Sequence, residues 1–289
     1  MFCVYDLHSH STASDGTLSP SCLVERAAKA GVEVLALTDH DTTAGIEEAT
    51  QASDVYGLML IPGVEISVTW NRQTVHLVGL NIDPQEPSLR QGLKRLREFR
   101  QWRAEEIGRR LDKAGISGAY EGALALAEGR LVSRTHFARF LVQTGIVEDE
   151  RKVFKRFLVS GKPGHVAGEW ASLEEAVGWI HAAGGQAVIA HPARYQMSRS
   201  KLRQLLKAFV SLQGDALEVV SGSHSRDDYK NMAKHAKDFA LLASAGSDFH
   251  CPENFWIELG RLPRLPEGCD PVWQGWNLPV PSELRSQSS

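Results

Sequence analysis

Histidines and carboxylates recur at the ends of short apolar runs along nearly the whole chain, and that spacing admits few folds. Asp6-Leu7-His8-Ser9-His10 opens the series and Asp15 follows it. Thr38-Asp39-His40-Asp41, Gly63-Val64-Glu65, Val75-His76, Ala190-His191-Pro192 and Ser247-Asp248-Phe249-His250 continue it. Each cluster follows or lies within an apolar, β-branched-rich run, at 34–37, 58–61, 75–80, 188–190 and 241–245. Parallel strands that end in metal ligands give this pattern. Imidazole and carboxylate are the side chains that hold divalent transition metals.

Between these runs the spacing turns helical. Residues 4–8 read as strand; Ser19-Pro20 then starts a helix, with Ser19 as N-cap and proline at the first helical position, ending at Gly31. Strand 32–37 and helix 44–56 follow, then strands 58–61 and 75–81 with a turn at Asn71-Arg72. After Ser172 the alternation resumes: helix 173–183, strand 186–190, helix 199–211, strand 216–220, helix 226–237, strand 240–245 and a last strand at 256–259. Six or seven βα units with ligands at strand ends predict an α/β barrel whose active site lies at that rim. In between, Leu89, Leu93, Leu96, Phe99, Trp102, Ile107 and Leu111 recur at helical spacing, with helical segments around Ala123, at 135–142 and at 147–158. Residues 1–99 and 168–289 are therefore expected to form the barrel and 100–167 an inserted helical lobe. The tail from Pro279 is polar and is expected to fray.

Composition narrows the partners. A net charge of −3 shows no global basic surface for nucleic acid, so such a substrate needs a local basic patch. Cys3, Cys22, Cys251 and Cys269 show no C-x-x-C spacing, and the first residues lack the basic and apolar regions of an export signal. A reduced, cytoplasmic setting is expected, with no membrane association and no obligate protein partner.

The ligand geometry can be read from strand alternation. His8 and His10 point to one side of a strand, and Asp248 with His250 repeats that pincer. Asp15 sits in a Ser-Asp-Gly turn able to fold over the rim, and Glu65 ends a strand where its two oxygens can bridge two cations. With His40, His76 and His191 the set has nine members, too many for one ion and suited to two or three. Taken singly, each is equally a strand-end residue capping a helix.

These residues carry a resemblance. The four motifs around His8, His40, His191 and Asp248 resemble those of the PHP (polymerase and histidinol phosphatase) superfamily. Gly63-Val64-Glu65-Ile66-Ser67, Ser133-Arg134-Thr135-His136-Phe137-Ala138-Arg139-Phe140 and Trp256-Ile257-Glu258-Leu259-Gly260 resemble one branch of it. That branch holds the 3′,5′-nucleotide bisphosphate phosphatases and the bacterial 5′-3′ exoribonuclease RNase AM. The resemblance implies a distorted (β/α)7 barrel, a helical lobe over its mouth and three divalent metals, with manganese favoured over zinc or iron. It assigns His8, His10, Glu65 and Asp248 to the first metal, Glu65, His76 and His191 to the second, and Asp15, His40 and His250 to the third. Catalysis then centres on Glu65, beneath a water activated between two metals, and on Asp15, His40 and His250, whose metal steadies the leaving oxygen. His224 is either a proton donor to that oxygen or a surface histidine.

Phosphate recognition calls for arginine. Arg100 and Arg103 share a face of the long helix, which is either a phosphate grip or a solvated face paired with Glu98, Glu105 and Glu106; the resemblance favours the grip. Arg134, Thr135 and His136 open a helix, where backbone N–H groups favour an anion. Arg194 follows His191 and completes the candidate substrate residues. Trp102 fits the apolar stripe and is expected in the core rather than against a base. His165, His181 and His235 have no ligand context. Two phosphate grips select a nucleoside 3′,5′-bisphosphate or the 5′ end of a short, single-stranded, 5′-phosphorylated oligonucleotide. Competing readings are a histidinol-phosphate or other small-metabolite phosphatase, and a regulatory nucleotide-binding module with a degenerate site.

Overall fold

A computed structural model describes residues 4–127 and 131–276; Cys3 and the tail from Pro279 lie outside the described residues. Backbone contacts divide the chain into two compact units, Lys94–Trp170 and the segments flanking it.

The flanking segments form a mixed α/β barrel. Strand β1 (Tyr5–Asp6) leads to α1 (Pro20–Lys29), whose Ser19 Oγ accepts the Cys22 N–H at 3.2 Å, as the Ser-Pro signal predicts. Strand β2 (Val34–Leu37) and α2 (Ile46–Tyr56) follow, the helix stopping at Gly57 in a left-handed conformation that costs glycine nothing. Strands β3 (Met59–Trp70) and β4 (Gln73–Leu80) then form a hairpin. Asn71 and Arg72, both at positive φ, make the tight turn that the twist of an antiparallel pair prefers. The expected strand 58–61 is thus the beginning of a longer one. Pro62-Gly63, then Glu65 and Ser67, broke the apolar run in the sequence, but Glu65 and Ser67 are buried within the strand.

Helix α3 (Pro87–Lys113) leaves the barrel and spends most of its length in the other unit, which adds α4 (Ala119–Ala127), α5 (Arg134–Gln143) and α6 (Glu150–Val153). Its own core gathers Ile107, Leu111, Phe137, Leu141, Val153 and Leu158. Trp102 departs from its expected core position: it is 53% exposed, at the edge of a stripe whose earlier members Leu89, Leu93 and Leu96 are buried.

The barrel resumes with α7 (Leu173–Ala182), β5 (Gln186–Ile189), α8 (Arg199–Ser211), β6 (Ala216–Ser221), α9 (Arg226–Asp238) and β7 (Leu242–Gly246). Strand order follows chain order from β1 to β7. The Leu7 N–H bond to the Ala245 carbonyl, at 2.9 Å, and a parallel bridge between Ser9 and Phe249 bring β1 against β7 and nearly close the ring. Leu7, just after β1, packs in one cluster with Ala36, Ile61, Val78, Leu80, Val188 and Ala216 from β2 to β6. Strand β4 runs antiparallel to both neighbours, so the distortion of the barrel sits at the β3–β4 hairpin, where no helix intervenes. No strand forms at 256–259. That segment is a loop, fixed by an Arg26–Glu258 ion pair at 2.6 Å and by the Gly260 N–H bond to Asp6 Oδ2 at 2.9 Å. Among the described residues no helix is long and apolar enough to cross a membrane.

Candidate metal centre

Buried carboxylates brace the loops that carry the histidines. Asp39 Oδ1 accepts from the Ser11 N–H at 2.8 Å and from Ser14 Oγ at 2.6 Å, while its Oδ2 accepts from Ser11 Oγ at 2.7 Å. These bonds fix the turn after His10 that returns Asp15 to the rim. The turn needs Gly16, since a Cβ there would lie 2.3 Å from the His10 carbonyl oxygen. Asp6 Oδ1 accepts the Ser247 N–H and Asp41 Oδ1 the Ser67 N–H, each at 2.8 Å. Asp41 (φ 51°), His191 (φ 27°) and Asp248 (φ 57°) adopt left-handed backbone without being glycine. Such strain costs about 1–3 kcal/mol per residue and survives only where the surroundings overdetermine it, as at functional sites.

Glu65 is the hub. It is fully buried in the interior of β3, not at a strand end, and both of its oxygens meet histidines. Its Oε2 lies 2.9 Å from His40 Nδ1, 3.3 Å from His10 Nε2 and 3.4 Å from His8 Nε2. Its Oε1 lies 2.8 Å from His76 Nδ1 and 3.0 Å from His191 Nε2. Asp248 Oδ1 faces His10 Nε2 at 3.3 Å, His250 Nδ1 at 3.5 Å and His8 Nε2 at 3.6 Å. Asp15 Oδ1 reaches His250 Nε2 at 3.4 Å and His40 Nε2 at 3.9 Å.

All nine residues singled out in the sequence come together. Their ligand atoms form four overlapping groups: His10, Asp15, His40 and His250; His8, His10 and Asp248; His8, Glu65 and His191; and His40, Glu65 and His76. His191 groups with His8 as well as sharing Glu65 Oε1 with His76, because one central carboxylate reaches both sides of the cluster. His8, His10, Glu65, His191 and Asp248 are buried, whereas His76 and His250 keep side-chain exposures of 24% and 31%, so the cluster opens on that side.

The donor set suits divalent metals. His8 Nε2, both ring nitrogens of His10, His191 Nδ1, Glu65 Oε2 and Asp15 Oδ1 are buried without a hydrogen bond among the described residues. Such atoms cost about 1–3 kcal/mol each if left unsatisfied, and a cation satisfies several at once. Burial pushes His10 down to about 3, helped by His250, and His76 down to about 4, so both are neutral imidazoles at neutral pH with lone pairs to offer. Burial opposes the charged form of Glu65, yet His40, His76 and His8 outweigh it and hold the carboxyl well below its usual range. His250 is carried up to about 10 despite burial, because Asp15 faces it. A metal must displace that proton, so binding is coupled to proton release.

The remaining candidates divide. Arg194 is brought to the cluster, its Nη1 2.5 Å from Asp248 Oδ2 while half its side chain stays exposed. His224 is neither a surface histidine nor a free acid. It is 7% exposed, its Nδ1 lies 3.3 Å from the Val219 carbonyl and its Nε2 accepts the Ala193 N–H at 3.4 Å. Arg100, Arg103 and Arg134 belong to the helical unit. Arg103 donates to the Val166 carbonyl at 3.0 and 3.1 Å, and Arg100 and Arg103 lie over the Trp170 ring at 5.0 and 5.4 Å. Burial, with Arg134 and Arg100 close by, lowers Arg103 to about 9. Cations crowded this way favour an anion. Thr135 is half-buried in the first turn of α5, and His136 Nδ1 accepts the Ser133 N–H at 3.0 Å, committing that nitrogen to the helix cap. His181 pairs with Asp215 at 2.9 Å and His235 is buried, both away from the cluster's groups. Sequence reading missed Glu218, a buried acid on β6 that touches His8.

The PHP domain model matches residues 6–189. A 3′,5′-nucleoside bisphosphate phosphatase of Chromobacterium violaceum is 50% identical over 270 residues, covering 93% of this chain and 95% of that protein. The 5′-3′ exoribonuclease Rnm of Salmonella typhimurium is 49% identical over 284 residues, covering 97% and 96%. Among solved structures, an amidohydrolase from Chromobacterium violaceum with bound sulfate and no metal aligns with a TM-score of 0.89 at 48% identity, over 99% of this chain and 97% of that one.

Proposed function

This chain belongs to the PHP domain family, and we propose that it works there as a metal-dependent phosphoesterase. It hydrolyses the 3′-phosphate of nucleoside 3′,5′-bisphosphates and removes nucleotides 5′ to 3′ from short 5′-phosphorylated RNA. The observation that carries the chemistry is Glu65, a buried carboxylate meeting five histidines through two oxygens. The substrate class draws on relatives that share half of its residues and are named for those two activities. A phosphatase and an exonuclease ask the same of a site, since they differ only in whether the 3′-phosphate carries a further nucleotide.

Three divalent cations, manganese first, would be held by His8, His10, Glu65 and Asp248; by Glu65, His76 and His191; and by Asp15, His40 and His250. Bound there, they supply an acidified water and charge neutralisation at the phosphoryl oxygens. The protein's residues do the rest. Glu65 joins two of the ligand sets and orients the attacking water on the face of phosphorus opposite the ester oxygen. Asp15, His40 and His250 would hold the cation whose charge steadies the leaving oxygen. Arg194 is drawn back by Asp248 and offers its remaining N–H donors to a phosphate oxygen. Arg100, Arg103 and Arg134, with Thr135 and His136, make the helical segment 100–167 a substrate-binding lobe that takes the second phosphate.

Removing one charge-assisted phosphate contact costs about 1.5–3 kcal/mol. Arg134→Ala is therefore expected to raise KM for adenosine 3′,5′-bisphosphate roughly ten- to hundredfold while p-nitrophenyl phosphate turnover barely changes. Steady-state kinetics on both substrates decides; equal losses place Arg134 in the structure instead.

The lobe's grip also sets polarity. If the lobe holds the 5′-phosphate while the metals meet the first phosphodiester, each cut releases a nucleoside 5′-monophosphate and a new 5′-phosphate. In Mn²⁺-supplemented digests a 5′-phosphorylated trinucleotide is expected to be cut at least tenfold faster than its 5′-hydroxyl counterpart, and adenosine 3′,5′-bisphosphate to outrun histidinol phosphate. Indifference to the 5′ group, or loss from the 3′ end, rejects this function.

A further inference from the structure

Glu218 stands in the middle of β6, 2% exposed, between Leu217 and Val219, which are fully buried. A carboxylate in such a place is costly unless its lone pairs are used. Both oxygens are. Oε1 lies 3.1 Å from His8 Nδ1, and Oε2 accepts the backbone N–H of His191 at 2.5 Å. One side chain thus touches two members of the candidate metal centre on two different loops, without belonging to any of the four ligand groups.

The contact is built, not incidental. The pairing of β6 with β7 slips between Glu218 and Val220, and an irregularity of this kind re-aims side chains on the strand that carries it. The partner strand supplies Gly246, in register with Ser221. A Cβ there would lie 2.2 Å from His8 Cβ and 3.0 Å from Glu218 Oε1, so only glycine leaves room for this approach. His191 is the residue at φ 27°, and the Glu218 bond to its N–H lies where that unusual backbone begins.

From this geometry we infer that Glu218 is the positioning residue of the metal centre, fixing the tautomer of His8 and the backbone of His191 together. A carboxylate can only accept, so it keeps the His8 proton on Nδ1. That leaves the Nε2 lone pair aimed at the space bounded by Glu65 Oε2, 3.4 Å away, and Asp248 Oδ1, 3.6 Å away. A hydrogen bond to the far nitrogen of a ligating imidazole sets ring orientation and basicity, and its loss typically costs ten- to hundredfold in metal affinity. Glutamine cannot replace it. Its amide offers one acceptor, and its NH₂ would face either the His8 Nδ1–H or the His191 N–H, donor against donor. The inference rests on the metal-centre reading above, and Glu218 needs no contact with substrate.

The test is a Mn²⁺ titration of metal-free wild type and Glu218→Gln, with bound metal counted by elemental analysis after desalting and the melting temperature of each metal-free protein recorded. The expected result is a ten- to hundredfold weaker apparent Kd for the variant, measured where its metal-free form is still folded. Equal affinities overturn the inference, whatever happens to stability. Wild type that binds no Mn²⁺ takes down the metal-centre reading first and this inference with it, so the two failures are distinguishable. Should Glu218→Gln not fold, nitrogen NMR of ¹⁵N-histidine-labelled, Zn²⁺-loaded wild type gives the answer: a proton on His8 Nδ1 supports it and a proton on Nε2 overturns it.

Discussion

Glu65→Gln is expected to lower kcat/KM on adenosine 3′,5′-bisphosphate by at least about 10³-fold while the barrel stays folded. The side chain meets His8, His10 and His40 through one oxygen and His76 and His191 through the other. Glutamine keeps the length but has no negative charge, and its NH₂ would turn two hydrogens toward one half of the cluster. Breaking a buried, compensated charge costs about 3–5 kcal/mol. At 1.36 kcal/mol per decade, that is on the order of 10²–10⁴ in rate if the interaction matters in the transition state. Loss of cations sharing the carboxylate adds to it. The backbone of β3 is paired on both sides, to β2 and β4, and none of those hydrogen bonds involves the side chain. Far-UV circular dichroism should therefore be unchanged. A variant within tenfold of wild type at saturating Mn²⁺ would remove Glu65 from the centre of the chemistry.

The sequence exposed the ligands more fully than it exposed what positions them. His8, His10, His40, His191, Asp248 and His250 punctuate apolar runs, so their convergence followed once parallel strands were assumed. Glu65 was legible as a residue type but not as a position. Pro62-Gly63 inside β3, followed by Glu65 and Ser67, made the apolar run look finished at 61, when the strand continues to the hairpin and buries Glu65 and Ser67. Glu218 was hidden for the opposite reason. All six residues of β6 are buried, so the strand has no polar-apolar alternation to say which way its one acid points. His224 follows from the same gap, because only the folded chain shows that its two nitrogens are engaged by the backbone around β6 and the turn after His191. Trp102 shows the limit of helical periodicity. Spacings of three chain Phe99 to Trp102, but the buried face of the helix runs through Leu89, Leu93, Leu96, Ile107 and Leu111, and Trp102 falls off it toward solvent. The N-cap at Ser19, the turn at Asn71-Arg72 and the start of α5 at Arg134 rest on short-range chemistry, and they stand where that chemistry places them.

Metal removal should destabilise the protein as well as silence it. In the metal-free chain Glu65, Asp248 and Asp15 are held among imidazoles, two of which, His10 and His76, are driven toward neutrality by burial. Several of the facing nitrogens and oxygens, among them His8 Nε2 and Glu65 Oε2, have no hydrogen bond among the described residues. A cation replaces these frustrated contacts with ligand bonds in the folded state alone. One site filled at a hundredfold excess over its Kd contributes about 2.7 kcal/mol. A domain of 150–250 residues gains roughly 2–4 °C per kcal/mol, so filling even one site is expected to raise the melting temperature by about 5–10 °C. Three sites raise it further, though less than threefold because two of them share Glu65. The measurement is a melt of chelator-stripped protein with and without Mn²⁺, beside elemental analysis of the reconstituted chain. The expected outcome is three ions per chain, activity absent in the stripped protein and restored on reconstitution. One ion or fewer, or a melting temperature indifferent to Mn²⁺, would mean that nine converging ligands hold one another rather than a metal cluster.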